Sequence, residues 1–176
     1  MNEDNHSLEK AARDSWKSTP MPEKRARLSF QREFSQDEVD QLSLGLIPHV
    51  MEDKWFIFLK DDQLFFHRSW TGVCIYQLQL KKGEMGYSVS EAYVNRDKEQ
   101  GRSTDDEYDA SLLSFLIDNL LLGKSTPFPL PGKLPKKIPK GMYQHSIAGT
   151  AYPEITTPTT ISLLDRVKWF FRNPWV

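Results

Sequence analysis

Apolar and polar positions alternate with a period of two over much of residues 54–94, a pattern that predicts one antiparallel sheet. A hairpin turning at Asp61-Asp62 sets Leu59 opposite Leu64, Ile57 opposite Phe66 and Trp55 opposite Arg68. In that register Phe56, Phe58, Phe65 and His67 share the other face. Both faces are apolar, so these are expected to be inner strands covered on each side. The chain turns again at Trp70-Thr71-Gly72 and returns as a third strand over 73–80, in which Cys74, Tyr76, Leu78 and Leu80 alternate with a wetter side of Ile75, Gln77 and Gln79. After Lys81-Lys82-Gly83-Glu84, a fourth strand over 85–94 places Tyr87, Val89 and Tyr93 on one face and Ser88, Ser90 and Ala92 on the other. The expected fold class is α+β, with an antiparallel β-meander of about four to five strands packed by a long helix.

Helical periodicity appears on both sides of this sheet. Leu28 and Phe30 alternate with Ser29 and Gln31 as a short strand, and Ser35 then caps a helix whose first turn carries Asp37 and Glu38. Val39, Leu42 and Leu46 form its apolar stripe, limited by Gly45 and Pro48. Further on, Thr104-Asp105-Asp106-Glu107 has the form of a capping box. The helix it opens carries Tyr108, Leu112, Leu113, Phe115, Leu116, Leu120 and Leu121 at helical spacing up to Gly123. Each such side chain contributes roughly 1.5 to 3 kcal/mol when fully buried, so this helix is expected to be the main cover of the sheet.

The flanks have a different texture. Residues 1–27 are charged and interrupted by Pro20 and Pro22, which predicts a flexible N-terminal arm ahead of a core domain over 28–124. From 125 to 160 the prolines at 127, 129, 131, 135, 139, 153 and 158 argue for an extended segment without helix or interior strand. A C-terminal amphipathic helix is expected within 161–176, with Ile161, Leu164, Val167 and Phe171 on one stripe.

Composition narrows the classes. A chain of 176 residues with 39% hydrophobic content supplies one core plus tails, and a formal net charge of −1 disfavours nucleic acid and anionic lipid as general partners. The basic stretch Lys133, Lys136, Lys137 and Lys140 lacks interleaved aromatics and reads as a solvated connector. With one cysteine, Cys74, no internal disulfide forms, and no basic-then-apolar leader opens the chain, so a cytoplasmic protein is expected. The apolar run 112–122 is shorter than the about 20 residues that span a bilayer.

The candidate chemistry concentrates at one end of the hairpin. Trp55 opposite Arg68 invites a cation–π contact, and Lys54, Ser69, Trp70 and Thr71 cluster beside it, a set that suits an anionic or planar ligand. The plainer reading pairs Arg68 with Glu52 or Asp53 and makes Trp70 a plug. His67, on an apolar face, is expected to be held neutral, with no nucleophile converging on it, and is counted with Lys54, Trp55, Arg68, Ser69, Trp70 and Thr71 in the candidate binding set. Arg96 follows the fourth strand and joins the candidate binding set. The acidic run Asp105 to Asp109 lacks the alternation of a calcium loop, and the histidines lack zinc spacing, so neither metal nor cofactor is expected. At the C-terminus Trp169, Phe170 and Trp175 exceed what one helix face hides and suit a partner groove or a homodimer contact.

These features suggest a non-enzymatic binding module, of adaptor, regulatory or immunity type, that presents the aromatic and arginine sheet end and the C-terminal helix to a protein partner. The alternative is a nucleotide- or ADP-ribose-type sensor or hydrolase. There Arg68 grips phosphate, Trp70 stacks, and His67 or Asp97 handles protons.

Overall fold

The computed structural model describes residues 9–100, 105–132 and 140–149. Within them the elements run β1 (Arg25–Arg27), β2 (Glu33–Phe34), α1 (Gln36–Leu44), β3 (Trp55–Lys60), β4 (Gln63–Arg68), β5 (Cys74–Gly83), β6 (Gly86–Asn95), α2 (Asp106–Leu116) and α3 (Lys140–Ala148). The fold is α+β: one antiparallel sheet in the order β1-β6-β5-β4-β3, with β2 pairing farther along β6. The expected C-terminal helix, with Trp169, Phe170 and Trp175, lies outside the described residues. Among the described residues no helix is long and apolar enough to cross a membrane.

The hairpin has the expected register, with Trp55 opposite Arg68, Ile57 opposite Phe66 and Leu59 opposite Leu64. Asp61 and Asp62 both take positive φ (51° and 58°), the twist that a two-residue hairpin loop needs. Contrary to expectation, β3 is not an inner strand but the sheet edge. A single bridge partly covers that edge: Leu46 N–H donates to Ile57 O (2.8 Å) and Ile57 N–H returns to Leu46 O (3.0 Å). The faces of β3 are nonetheless sealed on both sides. Trp55 and Ile57 join the main core with α1, α2 and α3, whereas Phe56 and Phe58 form a second small core with Ala11, Ile47 and Phe65.

Residues 9–27, expected as a mobile arm, dock against that second core and the sheet. Ala11 N–H donates to Leu44 O (2.8 Å), Trp16 Nε1–H to Ser69 O (2.8 Å) and Thr19 N–H to Gly72 O (2.8 Å), and β1 then pairs with β6. Backbone donors, the Trp16 indole N–H and one small buried alanine dock the segment, so no apolar periodicity announces it. Gly45 makes the approach possible: at φ 68°, a Cβ there would sit 2.7 Å from that of Ala11 and 2.4 Å from Ile57 O.

The remaining differences are local. Strand structure sits on either side of Leu28 to Gln31, not on them, because Leu28 N–H reaches only Ala92 O before the chain leaves the edge. In β6, Leu80 pairs with Val89 but Gln79 with Glu91, so Ser90 is an extra residue. This bulge inverts the alternation: Val89, Ala92 and Val94 face the main core together, and Tyr93 turns away under Arg25. α1 has the expected Ser35 cap with a reciprocal Glu38 bond. α2 is capped one residue later than expected, by Asp105, whose carboxylate accepts from Tyr108 N–H (2.7 Å), and it ends in a π-helical turn, Ile117–Leu121. α3 contradicts the expectation that prolines exclude helix from 125–160, because the nine residues Lys140–Ala148 contain none. Its Ile147 and Ala148 are core residues, so the packed unit extends beyond 28–124 at both ends.

Candidate functional site

In an antiparallel sheet the start of β3, the end of β4, the start of β5 and the end of β6 meet at one end. Here that end, with the first turns of α2 and with α3, encloses a cavity of about 550 Å³. A bulge at the β4–β5 junction contributes to its wall. Phe66 pairs with Tyr76 and His67 with Cys74, so Ile75 is extra, and Ile75 and Tyr76 both line the cavity. Trp55 and Tyr76 stack (centroids 6.1 Å apart) as one aromatic wall, and Tyr143 OH donates to Tyr108 OH (3.1 Å) on another.

The polar floor comes from α2 and β6. Asp109 is buried and accepts from Tyr76 OH (2.8 Å) and from Arg96 Nη1 (2.6 Å), while Arg96 Nη2 donates to Asp106. Burial pushes the Tyr76 phenol well above its usual value of 10, and the Asp109 carboxylate adds to that shift. For Arg96, burial opposes the charge, but hydrogen bonds to Asp109 and Asp106 outweigh it and raise the guanidinium. Asn95 is also buried, its Nδ2 donating to Cys74 O (2.9 Å) and to Gln100 Oε1 (3.2 Å).

Of the residues expected to form a site, Lys54, Trp55, Arg68, Ser69, Trp70 and Thr71 all line this cavity. Arg68 lies over the Trp55 ring, 4.9 Å from its centroid, and Lys54 Nζ lies 4.4 Å from that of Trp70. The structure does not pair Arg68 with Glu52 or Asp53. Its Nη1 donates to Ile147 O (2.9 Å) and Nη2 to Ser146 O (3.1 Å), where the negative end of the α3 dipole attracts a cation. Trp55 Nε1–H donates to the same Ile147 carbonyl (2.8 Å). Gly149 lets the helix end come this close, since a Cβ there would lie 2.2 Å from Glu52 O at φ 86°. Arg96 reaches the cavity only through Asp109.

His67 does not belong to this cluster. It packs with Phe56, Phe58 and Phe65 on the other sheet face, buried at 2% exposure, and burial lowers its imidazole from the ordinary 6.5. Asp97 caps its own loop, accepting from Glu99 N–H (3.2 Å). Sequence reasoning missed Asn95, Tyr76, Tyr108, Asp109 and Tyr143. The legible trace was Asp109, a carboxylate inside the apolar stripe of α2 between Tyr108 and Leu112. No protein-family model, curated protein or solved structure matches the chain.

Proposed function

We propose that the chain is a non-enzymatic binding module whose sheet-end cavity takes a planar ligand carrying an anionic group, of nucleotide or ADP-ribose type. The observation that carries this reading is the concavity: about 550 Å³, within the size range of small-molecule sites, with aromatic walls and a few convergent polar groups. The Trp55–Tyr76 wall suits a flat ring, Asn95 and Asp109 suit its polar edge, and Lys54 at the rim suits an anion. A hydrolase is not favoured. Ser69 Oγ donates to Asp53 O (2.5 Å) and Ser146 Oγ to Tyr143 O (2.7 Å), so neither lining serine donates to an imidazole.

A second reading, docking of a protein partner, is favoured by one specific feature. Val50, Met51 and Trp70 are 58%, 73% and 59% exposed, and Trp70 Nε1–H donates to Met51 O (3.0 Å), which draws them into an apolar patch on the rim.

A thermal-shift panel of nucleosides, nucleotides and ADP-ribose on the full chain tests the proposal. Ligand at one hundred times its dissociation constant adds about 2.7 kcal/mol of stability. The midpoint is expected to rise with the phosphorylated planar members, to lose that rise in Trp70→Ala and to keep it in Lys81→Ala, an exposed position outside both cavities. A panel with no shift overturns the small-ligand reading.

A further inference from the structure

On the sheet face away from the helices, the N-terminal segment and β3 to β5 enclose a second cavity of about 260 Å³. Arg13, Arg25 and Lys60 line it, one each from the N-terminal segment, β1 and β3, and no carboxylate does. Among the described residues none of these cations is in an ion pair. All three are exposed, and the Arg25 guanidinium lies over the Tyr93 ring, 4.6 Å from its centroid, so water and salt screen their mutual repulsion.

A basic rim alone is ordinary solvated surface; His67, which also lines the cavity, is not. It is 2% exposed, and its Nδ1 lies 2.9 Å from Gly72 O, an acceptor only, so Nδ1 carries the proton. Nε2 is buried and has no hydrogen-bond partner among the described residues. Buried polar atoms in native proteins are almost always satisfied, and an exception beside a cationic cavity points to a ligand.

We propose that this second cavity binds a compact oxyanion, inorganic sulfate or phosphate or a phosphate monoester, gripped by Arg13, Arg25 and Lys60 and by His67 donating from Nε2. To donate from Nε2 the ring must take up a proton when the anion enters. Its surroundings oppose that charge otherwise: Phe56, Phe58 and Phe65 desolvate it, and Arg13 repels it. The Cys74 thiol opposite is no counter-ion, because burial pushes it up to about 12. Gln77 is neutral, and the Gly72 carbonyl is shared with Thr19 N–H (2.8 Å) and Thr19 Oγ1–H (3.1 Å). Binding is therefore proton-linked and tightens as pH falls through the imidazole range.

Calorimetric titration of the full chain with sodium sulfate at constant ionic strength, at about pH 6 and about pH 8, tests this, because sulfate itself does not titrate between them. Saturable binding is expected, tighter at the lower pH. Arg13→Ala and Lys60→Ala, both at exposed positions, each weaken it by roughly tenfold. His67→Gln, which has no ring to protonate, loses the pH dependence. Parallel titrations with phosphate and glycerol 3-phosphate show whether the free ion or the monoester is preferred. Ring nitrogen shifts of His67 in the unaltered chain give the same reading without a variant, with Nε2 protonated when sulfate is bound at about pH 6. Absence of saturable binding at both pH values overturns the proposal. So does binding unchanged in the Arg13→Ala/Lys60→Ala double variant, or a His67 ring that stays neutral with sulfate bound at the lower pH. Trp70→Ala leaves this site intact, which separates its failure from that of the sheet-end cavity.

Discussion

Asp109 and Asp106 both pair with Arg96, yet their environments differ: the side chain of Asp109 is 4% exposed and that of Asp106 65%. Removing Asp109 strands a partly buried guanidinium and the Tyr76 hydroxyl, so Asp109→Ala is expected to cost about 3 kcal/mol. Asp106→Ala leaves a water-screened position and is expected to cost less than about 1 kcal/mol. Urea unfolding of the two variants checks the contrast, and equal losses would contradict the assignment of Asp109 as the buried hub. His67 gives a pH prediction. Its folded-state pKa lies below the unfolded 6.5, mainly through burial, so the unfolded chain binds more protons as pH falls. The stability it contributes is present above 6.5 and is lost as pH falls through its folded value. Urea midpoints measured in sulfate-free buffer across that window are expected to decline in the unaltered chain and more weakly in His67→Gln. The period of two already separates His67 from Arg68 in the sequence, since neighbouring strand residues face opposite ways. Asp109 was less legible, because an acidic first turn is explained equally well by the helix dipole.

At the scale of elements, α3 closes the sheet-end cavity through carbonyls that accept from Arg68 and Trp55. Arg68→Ala removes two of those donors and is expected to destabilise the docked helix by about 1.5 kcal/mol. Amide exchange over 142–149 then accelerates while that of β4 and β5 is little changed. Uniform acceleration of all three would show that Arg68 supports the sheet and not the helix. The hairpin was legible because turn and pairing are both local, and Asp61-Asp62 fixes the register by itself. α3 was not: its stripe is weak, and its packing comes from Ile147, Ala148 and backbone groups of distant residues. The bulges at Ile75 and Ser90 were equally hidden, because an extra residue depends on how two neighbouring strands meet. They decide which side chains reach the cavity and why Tyr93 turns away from the core.

At the largest scale, the described residues form a sheet with two unlike faces. The helices cover one with the large core, and the N-terminal segment covers the other with the small one. Each cover leaves a cavity, aromatic at the sheet end and basic beneath the segment. A formal net charge of −1 hides that polarity, because composition averages over both faces. The sheet end, with its Trp55–Arg68 pair, was visible in the sequence, but the helices that make it concave were not fully so. Two-dimensional NMR of the full chain, titrated with adenosine monophosphate and ADP-ribose, tests whether this concavity takes a planar anionic ligand. At least one of them is expected to shift the indole N–H signals of Trp55 and Trp70 and the side-chain amide of Asn95 saturably and together. If both, at millimolar concentration, leave those three signals unmoved while the sheet stays folded, the sheet end is not a site for such ligands.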